Sequence, residues 1–201
     1  MSRVLWLVVG MLWCSSAVAE GPGWPALDSV TGGGTSRDDV ALVVAIGNYA
    51  GLPLIAGAVE NGQAWLRWLA RGRGIAADRV TLLVDKQGTR SRILAATQEL
   101  AKKTRPGGTF WLVFIGHGVT NAQREGVLVG ALAVQEEFDL FSQSVTQKEL
   151  VAAATGRQSA TVAVIDACFS GQTSGGDVLL ANRGATVLRD LSQKIGGAST
   201  T

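Results

Sequence analysis

Apolar residues fall into four runs of strand length, separated by stretches whose polar and apolar positions repeat at helical spacing. The first run, Asp39-Val-Ala-Leu-Val-Val-Ala-Ile46, is almost unbroken, as expected for a strand covered on both faces. Arg79-Val-Thr-Leu-Leu-Val84, Thr109-Phe-Trp-Leu-Val-Phe-Ile115 and Thr161-Val-Ala-Val-Ile165 are the other three. Between the first two, Ala58, Ala64, Trp65, Trp68 and Leu69 recur at helical spacing over 57–71, and Gly72 and Gly74 end that helix. A second helix is predicted over 91–103, closed by Pro106-Gly-Gly108. A third is predicted over 146–155, with Thr146 at its N-cap and Glu149 at capping-box spacing. The stretch 126–134 reads as a small hairpin or an extended edge.

Strands alternating with helices predict an α/β fold: a mainly parallel sheet with right-handed crossovers and helices on both faces, three layers in all. Its expected extent is 39–201. Ahead of it, 20–38 carries several glycines and prolines without periodicity and reads as a linker. Residues 1–19 read as a signal peptide: Arg3, the apolar run Val4 to Trp13, then Ala17-Val-Ala19 as a cleavage pattern. That run is shorter than the roughly 20 residues a membrane span needs. The mature protein is therefore expected to be secreted or periplasmic, with no stable membrane span after cleavage.

A content of 47% hydrophobic and 17% charged residues supports a sizeable core. The formal charge of +2, without a long Lys or Arg run, gives no basis for nucleic-acid binding. Cys14 lies in the leader, so the mature chain keeps one thiol and forms no internal disulfide.

That thiol is Cys168, in Asp166-Ala-Cys-Phe-Ser-Gly171, immediately after the fourth run. The only histidine, His117, follows the third run in Gly116-His-Gly118. Both sit past the carboxyl ends of predicted strands, where open α/β sheets place their ligands. An imidazole beside a thiol raises the fraction of nucleophilic thiolate and can later protonate a leaving amine. Gly118 leaves room for a substrate backbone, and its N–H, with that of Cys168, can donate to a developing oxyanion. If the third and fourth strands are neighbours, the two side chains meet.

One His and one mature Cys do not make a zinc set, Asp85, Asp139 and Asp177 are scattered, and no EF-hand loop is present. No cofactor is expected; calcium activation stays open.

Four segments carry a family resemblance: Ala41-Leu-Val-Val-Ala-Ile-Gly-Asn-Tyr49, Ile55-Ala-Gly-Ala-Val-Glu-Asn61, Val113-Phe-Ile-Gly-His-Gly118 and Val164-Ile-Asp-Ala-Cys-Phe-Ser-Gly171. Over 39–180 the chain resembles the caspase-like cysteine peptidases, especially metacaspases and bacterial caspase homologues. The resemblance implies a caspase-haemoglobinase fold, a dyad of His117 and Cys168, and an oxyanion hole from the Gly118 and Cys168 amides. His117 and Cys168 stand 51 positions apart, matching the histidine roughly 50 residues upstream of the cysteine in caspases. Asp166 stands at the metacaspase acidic position of the first specificity pocket, implying cleavage after Arg or Lys. Asn61, next to Glu60, takes the family's other acidic position, and Ile115 stands where a small hydroxyl residue is expected.

Family domains continue past the cysteine strand with two further strands, so the C-terminal part reads as truncated or reduced. A partner chain supplying the other half of the sheet is one expectation. The function expected is an exported cysteine endopeptidase acting on peptide or protein substrates; the alternative is a catalytically weak or inactive interaction module. Arg71, Arg73, Arg157 and Arg183 are candidate self-cleavage points or plain surface residues.

Overall fold

A computed structural model describes residues 34–169. The expected signal peptide, most of the expected linker, Arg183 and everything from 170 onward lie outside the described residues. In chain order the elements are β1 (Val40–Ala45), α1 (Ala58–Arg67), β2 (Val80–Val84), α2 (Arg90–Lys103), β3 (Thr109–Ile115), β4 (Gly118–Thr120), β5 (Gly126–Leu128), α3 (Glu137–Ser142), β6 (Val145–Thr146), α4 (Gln147–Ala153) and β7 (Ala160–Asp166). The four apolar runs form one parallel sheet in the order β2-β1-β3-β7.

β1 has a strand on either side and helices on both faces, and all six of its residues are buried. Its side chains alternate between two cores. Leu42 and Val44 join Phe110, Leu112 and Phe114 of β3 under Ile93 and Leu100 of α2 and Leu150 of α4. Ala41, Val43 and Ala45 face the opposite way, with Val113 and Ile115, under Leu69, Trp65 and Trp68. The tryptophans therefore pack half-buried against this core. Gly62 of α1 lets that helix rest on the sheet, since a Cβ there would stand 2.4 Å from Ala45 Cβ.

The sheet is wound in two directions: the chain leaves β1 for β2 on one side, then returns to β3 on the other. The reversal opens a crevice between the loops that follow β1 and β3.

Two of the departures from the sequence expectation bear on the fold. The helix expected over 57–71 is α-helical only to Arg67 and continues as a π-helical turn over Trp68–Gly72. Gly74, at φ 71°, then turns the chain in a conformation that L side chains rarely adopt. Residues 126–134 do not fold back on themselves. Gly126–Leu128 pairs with Gly118–Thr120 from the histidine loop, and with β6. Three-residue strands are too short for periodicity to reveal, so only the tertiary pairing defines them. The capping box at α4 forms as expected: Glu149 N–H donates to Thr146 Oγ1 at 3.0 Å, and Thr146 N–H to Glu149 Oε2 at 3.0 Å.

At the amino ends of the strands, buried Asp39 accepts from Thr109 N–H at 2.8 Å and Trp111 Nε1–H at 3.2 Å. Arg73 adds an ion pair to the same carboxylate at 3.4 Å and lies over the Trp111 ring.

Candidate active site

Register brings the loops of His117 and Cys168 to the same end of adjacent strands. In the parallel pair of β3 and β7, Ile115 lies opposite Asp166, and the ladder runs one bond further, Gly116 N–H donating to Asp166 O at 3.1 Å. His117 and Cys168 each follow two residues after that last matched pair. The adjacency left open by the sequence is thus met.

His117 is buried at 4% exposure, and Cys168 is exposed. The His117 ring is held from the loop that follows β1: its Nε2 lies 2.8 Å from Pro53 O. A carbonyl can only accept, so in the neutral ring Nε2 carries the proton and Nδ1 keeps the free lone pair. Burial pushes the His117 pKa below its ordinary 6.5, against the opposing effect of the Pro53 carbonyl. A neutral imidazole is the form that can accept a thiol proton.

Tyr49 supports the histidine from below. His117 N–H donates to Tyr49 Oη at 2.8 Å, and the two rings lie 4.8 Å apart at 41°. Burial holds the Tyr49 hydroxyl far above its usual range, so it stays a neutral phenol. A Cβ at position 116 would stand 2.5 Å from that hydroxyl, which accounts for Gly116. Neither Tyr49 nor Pro53 is legible as a site residue in the sequence: one works through a hydroxyl 68 positions away from its partner, the other through its main chain.

Gly118 begins β4. Val129 N–H donates to His117 O at 2.9 Å, and Asn121 N–H to Glu125 O at 3.1 Å. In an antiparallel ladder this makes Gly118–Leu128 a non-hydrogen-bonded pair, so the Gly118 N–H points away from β5. The cysteine loop packs on the face of Gly118: a Cβ there would meet Cys168 O at 3.2 Å.

The two residues expected to bind substrate also come together. Asn61, in the first turns of α1, donates through Nδ2 to Asp166 Oδ2 at 3.3 Å across 105 positions of sequence, and both are exposed. Glu60 is exposed as well. Ile115 is a buried core residue rather than part of the site surface. Among the described residues no three His, Cys, Asp or Glu side chains converge as a metal set. Asp85 is occupied by the N–H groups of Gly47 and Asn48, and Asp139 by that of Val134.

The caspase-domain family profile matches residues 38–194. The chain belongs to the caspase-domain family. No curated protein matches it. Among solved structures, protein GSU0716 from Geobacter sulfurreducens is similar, with a TM-score of 0.52 and 19% identity over 66% of this chain and 51% of that one. At that identity the likeness concerns the fold, and the chain spans about half the length of that protein. The caspase-domain match covers the parallel sheet, the histidine loop and the cysteine loop together.

Proposed function

We propose that this caspase-domain protein is an exported cysteine endopeptidase that uses His117 and Cys168 to hydrolyse peptide bonds after Arg or Lys. The observation that carries the reading is the matched register of β3 and β7, which sets both loops at one sheet end.

In this mechanism His117 Nδ1 takes the Cys168 thiol proton, and the sulfur attacks the scissile carbonyl carbon. The oxyanion is met by the Gly118 and Cys168 N–H groups. Collapse breaks the C–N bond, and the imidazolium returns its proton to the leaving amine. Water, deprotonated by His117, then releases the acyl group from sulfur. Pro53 O and Tyr49 hold the ring through this cycle. Asp166, oriented by Asn61, supplies the carboxylate for a basic side chain and would repel an acidic one. No step is routed through a metal. A strand from a partner chain is proposed to pair with β7, which ends the sheet among the described residues.

Purified protein incubated with paired Arg and Asp fluorogenic peptides tests the reading. Turnover of the Arg peptide alone, abolished in Cys168→Ala and in His117→Ala and reduced at least about tenfold in Asp166→Asn, is expected. Undiminished turnover in Cys168→Ala removes the mechanism, and preference for the Asp peptide removes the assigned pocket.

A further inference from the structure

Side chains alternate along a strand, so residues 118 and 120 of β4 share a face with 126 and 128 of β5, Gly118 opposite Leu128 and Thr120 opposite Gly126. Two of these four positions are glycine, on a diagonal of the hairpin. The groove they leave is filled by an aromatic ring from elsewhere in the chain. A Cβ on Gly118 would stand 3.0 Å from Phe169 Cε1, and one on Gly126 would stand 3.1 Å from the same atom. Phe169 is the residue immediately after Cys168, and it packs partly buried against the core that contains Leu128.

Its main chain is held too. Thr120 Oγ1 donates to Phe169 O at 3.1 Å. On the other side of the cysteine, Gly116 N–H holds Asp166 O. The short cysteine loop is therefore pinned at both ends, while Cys168 itself is exposed.

We propose that Phe169, wedged on Gly118 and Gly126 and held at its carbonyl by Thr120, is the positioning residue that sets the direction in which Cys168 presents its sulfur. The proposal rests on the dyad reading above and adds to it a device outside the dyad. The physical reason is geometric. An exposed thiol on a free loop samples several rotamers and backbone states, and misplacing a reacting atom by about 1 Å costs on the order of 10²-fold in rate. A ring seated between two glycines leaves the loop one way to lie. An alanine at either glycine would crowd the ring, at 3.0 Å from position 118 and 3.1 Å from position 126, where it would also meet the Gln147 side chain at 2.8 Å.

The full chain is compared with Phe169→Ala, Phe169→Leu, Thr120→Val and Gly126→Ala. Three quantities are read: kcat and KM on the Arg peptide, the iodoacetamide labelling rate of Cys168 at pH 7, and the thermal midpoint. Phe169→Ala is expected to lower kcat about 10- to 100-fold with KM within about twofold. Thr120→Val and Gly126→Ala are expected to lower it about tenfold, and Phe169→Leu to recover most of the loss because it keeps apolar bulk on the glycines.

If Phe169→Ala does not fold, Thr120→Val and Gly126→Ala decide. Folded variants that all keep kcat within about twofold of the parent, while Cys168→Ala is inactive, overturn the wedge and leave the dyad standing. A parent without Cys168-dependent cleavage overturns the dyad reading instead. Labelling then judges the wedge: slower labelling in Phe169→Ala upholds it, and equal rates end it.

Discussion

In the proposed mechanism His117 decides how the site responds to acid. Its pKa lies below 6.5 in the fold because burial disfavours the imidazolium, and only the neutral ring can take the thiol proton. The acid limb of a kcat/KM profile is therefore expected with its midpoint below pH 6.5, so that more than half of the plateau activity survives there. Stability follows the same sign. As pH falls through 6.5 the unfolded chain binds the proton first, so stability is lost between that value and the lower folded one. A pH series of chemical denaturation checks it.

Tyr49 is the second test at this scale. In Tyr49→Phe the His117 N–H loses its acceptor inside the protein, and a loss of about 1–3 kcal/mol in urea unfolding is expected, together with a fall in kcat. Retention of both would show that the Pro53 carbonyl and the ring contact hold the histidine without the Tyr49 hydroxyl.

Among the elements, α1 gives the sharpest contrast between local preference and packing. Helix propensity favours Ala over Gly by about 1 kcal/mol, so Gly62→Ala would stabilise an isolated helix. Here the added methyl would stand 2.4 Å from Ala45 Cβ of the central strand. Gly62→Ala is expected to destabilise by about 1–3 kcal/mol, read as a lower melting temperature. A rise would mean that α1 has room to lift off the sheet. The lifting matters to the site as well as to the core, since the same helix carries Asn61 to Asp166.

Long elements were legible because their apolar periods are long. The strand of 109–115 appears with the predicted bounds, and the capping box forms at Thr146 and Glu149. β4 and β5, three residues each, have no period to read and exist because one supplies the other's hydrogen bonds. They matter most to the proposed positioning of the cysteine.

On the scale of the whole molecule, the site rests on a sheet whose strands are tied at the opposite end by Asp39. This carboxylate bridges the start of β1 to the start of β3 and to Arg73. Asp39→Ala would leave the Thr109 and Trp111 donors without their acceptor in a half-buried setting. A loss of about 2–4 kcal/mol in denaturant unfolding is expected, with thermal inactivation of any peptidase activity following the melting curve. Unchanged stability would show that water replaces the carboxylate.

The chain's own order of residues determined the strands, the longer helices and the two loops that carry His117 and Cys168, because burial on both faces of a sheet writes a long apolar signal. The family resemblance marked Asp166 and Asn61 individually. Tertiary structure alone decided that β3 and β7 are neighbours in a register that matches the two loops, that Asn61 reaches Asp166, that Tyr49 and Pro53 hold His117, and that Thr120 holds Phe169. Those are contacts between parts of the chain 49 to 105 positions apart. Local periodicity holds no record of them, since hydrophobic burial specifies which face of an element turns inward but not which distant backbone group lies opposite.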